Sequence, residues 1–237
     1  MTTLIIGSTT LANQLAMAYE YSEPDYVHLT AEDSDAETLA SIFAGSAIDA
    51  VVNAAEPYAE ESSITVAAAC GLAGLPLLRA VPPSFSRIDG SSRWRWVESF
   101  DVAREAAAGF SGDLLAALHP PRLAARLGDL GGRTAGVHRR RLPTESLWPE
   151  WAREPERTRH GLAGALAVID EHHARLVIAA DSGDEDVAYF LVAAELRELD
   201  VVVVRRPDTG EREAVSDVSS VFAWLNGLGD ACGRAAR

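Results

Sequence analysis

The sequence predicts an α/β protein built as two Rossmann-like lobes, each with a mainly parallel sheet, and with a cleft between the lobes. Two observations support this prediction. Short apolar runs alternate along the chain with stretches that carry apolar residues at helical spacing, and the alternation recurs in both halves. Strands that alternate with helices form βαβ units, and such units produce a parallel sheet covered by helices.

The individual elements follow from the position of each apolar run. Strands are expected at residues 3–6, 26–29, 50–54, 75–78, 94–97, 114–118, 176–180 and 201–204. Helices are expected at residues 11–18, 36–43, 61–70, 102–108, 164–171, 187–196 and 218–225. The Gly- and Ser-containing linker at 109–112 places the domain boundary near residue 110. The predicted lobes are therefore 1–110 and 111–237, and the last helix can pack back on the first lobe.

Composition and charge exclude several classes of function. The 237 residues carry a formal net charge of −14 with a sequence pI near 4.8, which argues against binding to nucleic acid or to anionic membranes. All 21 basic residues are arginine, so lysine Schiff-base chemistry is excluded. Cys70 and Cys232 lie far apart without metal-ligand spacing, which favours two reduced thiols. The first 19 residues make a poor signal peptide, and 62–78 is too interrupted to span a bilayer, so a cytoplasmic protein is expected.

The loop after the first strand is a candidate site for an anionic ligand. Gly7, Ser8 and Thr9 stand between this strand and its helix. Backbone N–H groups at a helix N-terminus attract anions, and small residues let a phosphate come close. The full G-x-G-x-x-G pattern is absent, however, and such loops also occur in α/β proteins that bind nothing there. Nucleotide binding and an empty loop both remain open on this feature.

Two further loops follow buried strands, where ligands of open α/β sheets bind. In the acidic loop 181–186, Ser182 or Asp184 is expected to cap the next helix, and a Mg²⁺ or Ca²⁺ site is the less favoured alternative. In the loop 53–61, Glu56 is either an acid–base group or a helix cap. The histidines are scattered, and the adjacent pair His172 and His173 points in different directions on a helix, so no metal site is predicted. The arginines at 139–141 either hold a polyanion or form an exposed loop.

Several segments, in order along nearly the whole chain, resemble the precorrin-6A reductase family of cobalamin biosynthesis. L-I-I-G-S-T, at 4–9, resembles that family's first strand followed by Gly-Gly-Thr. A-I-D-A-V-V-N-A-A-E-P-Y-A resembles its I-D-x-V-V-D-A-T-H-P-F-A block, and A-A-A-C-G-L-A-G-L-P-L-L-R resembles its A-x-A-C-x-x-x-G-V-P-L-L-R segment. A-D-S-G-D, and the segment A-A-E-L-R-E-L-D-V-V-V-V-R-R-P, resemble its K-N-S-G-G block and the helix, strand and Arg-Pro that follow.

The resemblance implies NADPH-dependent reduction of a precorrin tetrapyrrole held between the lobes, in an oxidoreductase whose oligomeric state stays open. The positions that match the family's motifs imply cofactor contacts from Gly7, Ser8, Thr9, Asn53, Pro57, Tyr58, Ser182 and Gly183. Arg79, Arg205 and Arg206 are the expected partners of the macrocycle carboxylates, with 139–141 as a second candidate. Glu56 is the expected proton donor.

The chain also departs from the family pattern, mostly at polar positions. Family residues of other types are replaced by Ser8, Leu11, Asn53, Ala55, Glu56, Tyr58, Ala180, Asp184 and Phe190. The alternative function is therefore a non-catalytic relative that keeps the fold and a tetrapyrrole or nucleotide pocket. An α/β binding module of unrelated function is a further alternative, because a fold does not fix a function.

Overall fold

The structure, a computed structural model, describes residues 2–7, 9–22, 26–29, 35–119, 122–128, 134–136, 161–207 and 214–235. The chain divides into two compact units. Unit 1 comprises Met1–Pro83 and Pro207–Arg237, and unit 2 comprises Ser84–Arg206. The chain therefore leaves unit 1 once, forms the whole of unit 2, and returns to complete unit 1.

Unit 1 is a parallel sheet with helices packed on it. Its elements, numbered in chain order through the whole protein, are β1 (Thr3–Ile6), α1 (Thr10–Ser22), β2 (Tyr26–Leu29), α2 (Ala36–Gly45), β3 (Ala50–Asn53), α3 (Glu60–Ala73), β4 (Leu77–Ala80), β10 (Ala214–Val215) and α8 (Val218–Ala235). Among the described residues the strands form a five-stranded sheet in the order β10-β4-β3-β1-β2, and each neighbouring pair is parallel.

Successive side chains of β1 point to opposite faces of this sheet, so the strand supplies two cores. Leu4 and Ile6 pack with the apolar side of α2, and Ile5 packs with residues of α1 and α8. Tyr19 of α1 and Phe222 of α8 meet with ring centres 5.0 Å apart. A strand that is buried on both faces has a continuous run of apolar residues, and this run allowed β1 to be predicted from the sequence.

Unit 2 repeats the same architecture. Its elements are β5 (Arg95–Val97), α4 (Phe100–Ala108), β6 (Leu114–Ala117), α5 (Arg122–Leu127), β7 (Thr134–Gly136), α6 (Gly161–Glu171), β8 (Leu176–Ala180), α7 (Glu185–Leu196) and β9 (Asp200–Val204), with two short 3-10 turns at Phe85–Arg87 and Ser91–Arg93. In the described part of the chain these strands form a five-stranded sheet in the order β5-β9-β8-β6-β7, again with parallel neighbours. The α/β prediction with two separate, parallel sheets is confirmed.

Both sheets reverse their strand order at an equivalent point. In unit 1 the chain runs from β1 to β2 on one side and from β3 to β4 on the other, so the switch lies between β1 and β3. In unit 2 the corresponding switch lies between β6 and β8. Ligands of open α/β sheets bind beyond the carboxyl ends of the strands at such a point. The loops that follow these four strands therefore define one candidate site in each unit.

The observed division differs from the expected boundary near residue 110. β5 and α4 belong to unit 2 because β5 pairs with β9, and the last strand of the chain, β10, joins unit 1 by pairing with β4. β4 begins at Leu77 rather than at residue 75, because α3 ends at Ala73, its C-cap Gly74 is left-handed (φ +67°), and Leu75 and Pro76 lie between this cap and the strand. No helix in the described part of the chain is both long and apolar enough to cross a bilayer.

Candidate functional site

At the switch point of unit 1, the loops that follow β1 and β3 are in direct contact. Gly7, directly after β1, has φ +136°, and a Cβ on it would lie 2.3 Å from the Ala54 carbonyl oxygen and 2.6 Å from the Ala55 nitrogen. The Ala54 N–H donates to the Ile6 carbonyl at 2.7 Å. The β1–α1 and β3–α3 loops thus emerge at the same sheet edge, and their contact requires a glycine at position 7 because a Cβ would not fit there.

Thr9 fixes the start of α1. Its hydroxyl donates to the Ala54 carbonyl at 2.9 Å and accepts from the Ala12 N–H at 3.1 Å, as an N-cap side chain does. The Thr9 hydroxyl is therefore committed to the protein. The N–H groups of Thr10 and Leu11 are the ones that a helix start ordinarily leaves for an anion. Ser8 lies outside the described residues.

Arg79 of β4 fixes the β3–α3 loop by donating hydrogen bonds to its carbonyl groups. It is only 4% exposed, and its Nη1 donates to the carbonyls of Asn53 (3.0 Å) and Ala55 (2.8 Å) and to the Asn53 side-chain oxygen (3.2 Å). Its Nη2 donates to the Glu56 carbonyl at 3.3 Å. The planar guanidinium of arginine carries several N–H donors in fixed directions, so it can bond several carbonyls of one turn at once. The ammonium group of lysine is a compact charge and cannot reach them in the same way. Arg79 therefore organises the loop, rather than presenting its guanidinium to solvent as substrate binding would require.

Replacing Arg79 by methionine is expected to lower the free energy of unfolding by about 1–3 kcal/mol, because buried carbonyls lose their donor. Arg79→Lys should recover only part of this loss, since the charge returns without the fork. Urea denaturation of both variants measures the difference, with Arg104→Met as a control because Arg104 is half-exposed and pairs locally with Asp101. Equal stability of Arg79→Lys and the wild type would contradict this role.

Asn53 ends β3 and is completely buried. Its side-chain oxygen accepts from the Ala55 N–H at 3.1 Å, and among the described residues its Nδ2 has no hydrogen-bond partner. Pro57 is buried, whereas Glu56 and Tyr58 are half-buried. The N-cap position of α3 is Ala59, without a side-chain cap, so Glu56 does not serve as the helix cap that the sequence offered as one alternative.

The loop after β8 forms the corresponding switch point of unit 2. Asp184 is the N-cap of α7, and its Oδ1 accepts from the N–H groups of Asp186 (3.0 Å) and Val187 (3.3 Å), which confirms the predicted capping. Ser182 is 6% exposed and its hydroxyl accepts from the Asp184 N–H at 3.3 Å. Gly183 is half-buried with φ +72°. Gly183 is therefore the more accessible of the two predicted cofactor residues on this loop.

A buried carboxylate ties the two ends of unit 2 to this loop. Asp181 is 3% exposed; it accepts from the Ser84 hydroxyl and the Phe85 N–H, both at 2.8 Å, and from Arg206 Nε and Nη2 at 3.0 and 3.1 Å. Ser84 and Arg206 are the first and last residues of unit 2. Arg206 is thus engaged within the protein, in contrast to its predicted role in holding a substrate carboxylate.

Arg205 is the most exposed of the three nominated arginines. Half of its side chain is accessible, its Nε lies 2.9 Å from an oxygen of the exposed Glu98, and its guanidinium carbon lies 5.3 Å from the ring centre of Trp96. An ion pair between exposed side chains contributes little to stability and exchanges readily. Arg205 can therefore release Glu98 and bind a ligand anion at the carboxyl edge of the unit 2 sheet.

His119 is a residue at this edge that sequence reasoning did not nominate. It follows β6 by two residues, and its Nδ1 lies 3.2 Å from Oδ2 of Asp184. Its position just after a predicted strand could have drawn attention to it. The sequence did not show, however, that β6 pairs with β8, which precedes Asp184. The arginines at 139–141, together with His138 and His160, lie outside the described residues.

Metal and thiol chemistry find little support in the described part of the chain. No group of three or more His, Cys, Asp or Glu side chains among the described residues is arranged to hold a metal ion. Burial raises the pKa of the Cys70 thiol to about 11, so this thiol stays protonated and unreactive near neutral pH. The absence of a metal stays a prediction.

Comparison with known proteins identifies the family. Residues 5–226 match the model of the family described as precorrin-6x reductase CbiJ/CobK. The chain belongs to this family. A search of curated proteins found no match. The family assignment therefore rests on a match that includes both switch points.

One solved structure extends this likeness to the whole fold. "CobK precorrin-6A reductase" matches with a TM-score of 0.75 and 21% sequence identity, covering 97% of each chain. At this identity the likeness supports the fold alone. A mutant of arylmalonate decarboxylase also matches, at 13% identity over 88% of this chain and 89% of that one, but its TM-score of 0.29 carries no argument.

Proposed function

We propose that this protein reduces a precorrin tetrapyrrole with NADPH, the cofactor that its family uses. The observation that carries the proposal is the family match over residues 5–226, which coincides with an intact β1–α1 and β3–α3 framework at the switch point of unit 1. NADPH supplies the hydride when it is bound, and the chain's own residues bind, orient and shield the reactants. Gly7, Thr9 and Arg79, which make contacts of this framework, are residues at which the chain matches the family pattern.

The pyrophosphate of NADPH is proposed to lie over the start of α1, beside Gly7, Ser8 and Thr9. The residues present fit such a group, because Gly7 lets the two loops meet, the Thr9 hydroxyl caps α1 through the Ala12 N–H, and the first N–H groups of a helix are ordinarily available to an anion. Asn53, Pro57 and Tyr58 lie on the adjoining loop of unit 1. Ser182 and Gly183, at the switch point of unit 2, remain cofactor contacts that the family resemblance implies. In these contacts backbone position matters more than side-chain charge.

Recognition of the substrate carboxylates is proposed to depend chiefly on Arg205. Arg79 and Arg206 support it indirectly, by holding the β3–α3 and β8–α7 loops in place. Glu56 lies on the β3–α3 loop and remains the acid that the sequence nominates as proton donor. With no lysine in the chain, exposed arginine and histidine are the cations left for an acidic macrocycle.

A non-catalytic relative is the second candidate function. The replacement of several polar family positions, including those now held by Asn53, Ala55 and Ala180, favours it. Such a protein would bind tetrapyrrole or nucleotide without turnover. The third reading, a binding module of unrelated function, is disfavoured by the family match along nearly the whole chain.

Titration with NADPH and NADH, followed by nicotinamide fluorescence, tests the cofactor proposal. Both nucleotides should bind, and NADPH should be favoured by less than about tenfold, because residues 1–78, which carry the proposed pyrophosphate site, contain no arginine to make a charge-assisted contact with the 2′-phosphate, a contact worth about 1.5–3 kcal/mol. If Arg205 holds the 2′-phosphate instead, Arg205→Ala will weaken NADPH alone, and the surface control Arg104→Ala will change neither nucleotide.

Two results would count against this assignment. Tight, NADPH-selective binding that survives both Arg205→Ala and Arg206→Ala would place the phosphate site elsewhere. No detectable binding of either nucleotide would favour the non-catalytic relative.

A further inference from the structure

A histidine and a carboxylate meet across the switch point of unit 2. His119 follows β6, Asp184 follows β8, and these two strands flank the point where the strand order reverses. The His119 Nδ1 and Asp184 Oδ2 atoms are 3.2 Å apart. The Asp184 side chain is 8% exposed and the His119 side chain 32% exposed. The carboxylate is therefore buried behind an imidazole that solvent or a ligand can reach.

The position of Asp184 is fixed independently of His119. Its Oδ1 is held by two N–H groups at the start of α7, which leaves Oδ2 for the imidazole. At a separation of 3.2 Å the Asp184 carboxylate and Nδ1 of a protonated His119 ring form an ion pair, and Nε2 takes no part in this contact. The pair therefore places the imidazole so that Nε2 can act in proton transfer.

The surrounding charges leave this pairing intact. Asp181, on the same loop, is already neutralised by Arg206. On α5, which follows β6, the guanidinium carbon of Arg126 lies 4.7 Å from the ring centre of Phe100, and it is engaged there. Glu185 and Asp186 in the first turn of α7 are acidic and complement the helix start. Among the described residues, Asp184 is the carboxylate that pairs with His119.

We propose that His119 donates the proton that accompanies hydride transfer to the tetrapyrrole, and that Asp184 is the positioning residue that holds it. This inference rests on the proposed function. When bound, NADPH would supply a hydride, with its electron pair, to one atom of a conjugated double bond, which would leave the π electrons on the other atom. That atom takes the proton from Nε2 of the His119 imidazolium. NADP⁺ and a neutral imidazole result, and water returns the proton.

His119 suits this step better than the acid nominated from the sequence. Histidine is the side chain that most often serves as a general acid, and one ring nitrogen can face a positioning carboxylate while the other faces the substrate. Asp181 and Asp184 are both committed to hydrogen bonds within unit 2.

Single-turnover reduction of a precorrin-6 tetrapyrrole by NADPH tests the proposal. His119→Gln should slow the reduction step by about 10²–10⁴-fold, the usual contribution of a general acid, while NADPH affinity and the KM for the tetrapyrrole stay close to wild type. Asp184→Asn keeps an oxygen for the helix cap but turns an amide N–H₂ toward Nδ1, so it should lower kcat by a smaller factor. His172→Gln is the control, since His172 lies at the end of α6.

NMR of the histidine ring nitrogens gives a readout that needs no turnover. In the wild type, neutral His119 should carry its proton on Nδ1, facing Asp184. In Asp184→Asn the proton should move to Nε2. Ser99→Ala, which removes the cap of α4 instead, should leave the His119 signals unchanged. An Nε2-protonated ring in the wild type would overturn the proposal.

The outcomes separate this inference from the proposed function. A wild-type protein that neither binds NADPH nor reduces the tetrapyrrole would refute the function, and the inference with it. An active wild type with an equally active His119→Gln variant would refute only the inference. If Glu56→Gln alone abolishes the reduction step, Glu56 is the donor. A raised KM with unchanged kcat in His119→Gln would make His119 a binding residue and would also overturn the proposal.

Discussion

Gly7→Ala is expected to lower the free energy of unfolding of unit 1 by about 3 kcal/mol or more and to abolish NADPH binding. The new Cβ would lie 2.3 Å from the Ala54 carbonyl oxygen, which is a backbone atom, so no side-chain rotamer change can relieve the clash. Its φ of +136° is also a conformation that side-chain-bearing residues rarely adopt. The β1–α1 and β3–α3 loops would have to separate, which breaks the framework of the proposed cofactor site.

Two other glycines of unit 1 provide matched controls. Gly74 has φ +67° but open space around the Cβ position, so Gly74→Ala should cost only the backbone strain, about 1–2 kcal/mol. Gly71 lies inside α3 with nothing within 4 Å, so Gly71→Ala should be neutral or stabilising by up to about 1 kcal/mol. Urea denaturation with hydrogen exchange resolved by unit gives all three values. A Gly7→Ala variant no less stable than Gly74→Ala would show that the loop contact is unimportant.

Asp181→Ala is expected to destabilise unit 2 by about 3–5 kcal/mol, because removing one partner of a buried ion pair leaves the other charge without compensation. The Arg206 guanidinium, the Ser84 hydroxyl and the Phe85 N–H would all lose the same acceptor. Hydrogen exchange should accelerate in β8 and β9, whose carboxyl ends meet at this carboxylate.

The matched control is a second bidentate Asp–Arg pair of the same unit. Asp170 accepts from Arg197 Nε at 2.8 Å and Nη2 at 2.6 Å, but both side chains are exposed. Asp170→Ala should therefore change stability little, since surface ion pairs contribute little. If both variants lose the same stability, burial is not what makes the Asp181 pair strong.

The sequence predicted strands such as β1, β3 and β8 because they are buried along their whole length and appear in the sequence as nearly continuous apolar runs. Leu176–Ala180 is a strand of that kind, and the loops beyond such strands were placed correctly at the carboxyl edges. The two-residue strand β10 was missed because so short a segment has no periodicity. The expected domain boundary near residue 110 differs from the observed division after Pro83, because β5 pairs with β9 and these segments lie far apart in sequence.

The candidate site was predicted less completely than the fold. Gly7 was nominated for close approach to a phosphate, whereas its approach to Ala54 depends on β1 and β3 being neighbours. Arg79 and Arg206 were nominated as ligand contacts because a sequence shows charge but not the buried oxygens that satisfy it. His119 was passed over for a related reason: its partner Asp184 follows a strand that is adjacent in space and distant in the chain.

The most direct test of the central claim is transfer of deuterium from reduced cofactor to substrate. Purified protein would be incubated without oxygen with a precorrin-6 tetrapyrrole and NADPH deuterated at the transferable hydride position, and the product would be analysed by mass spectrometry. We expect the tetrapyrrole to gain one deuterium from the cofactor and one hydrogen from solvent, with equimolar NADP⁺. An unlabelled, unreduced tetrapyrrole recovered from protein that binds it would contradict the reductase assignment and establish a non-catalytic member of the family.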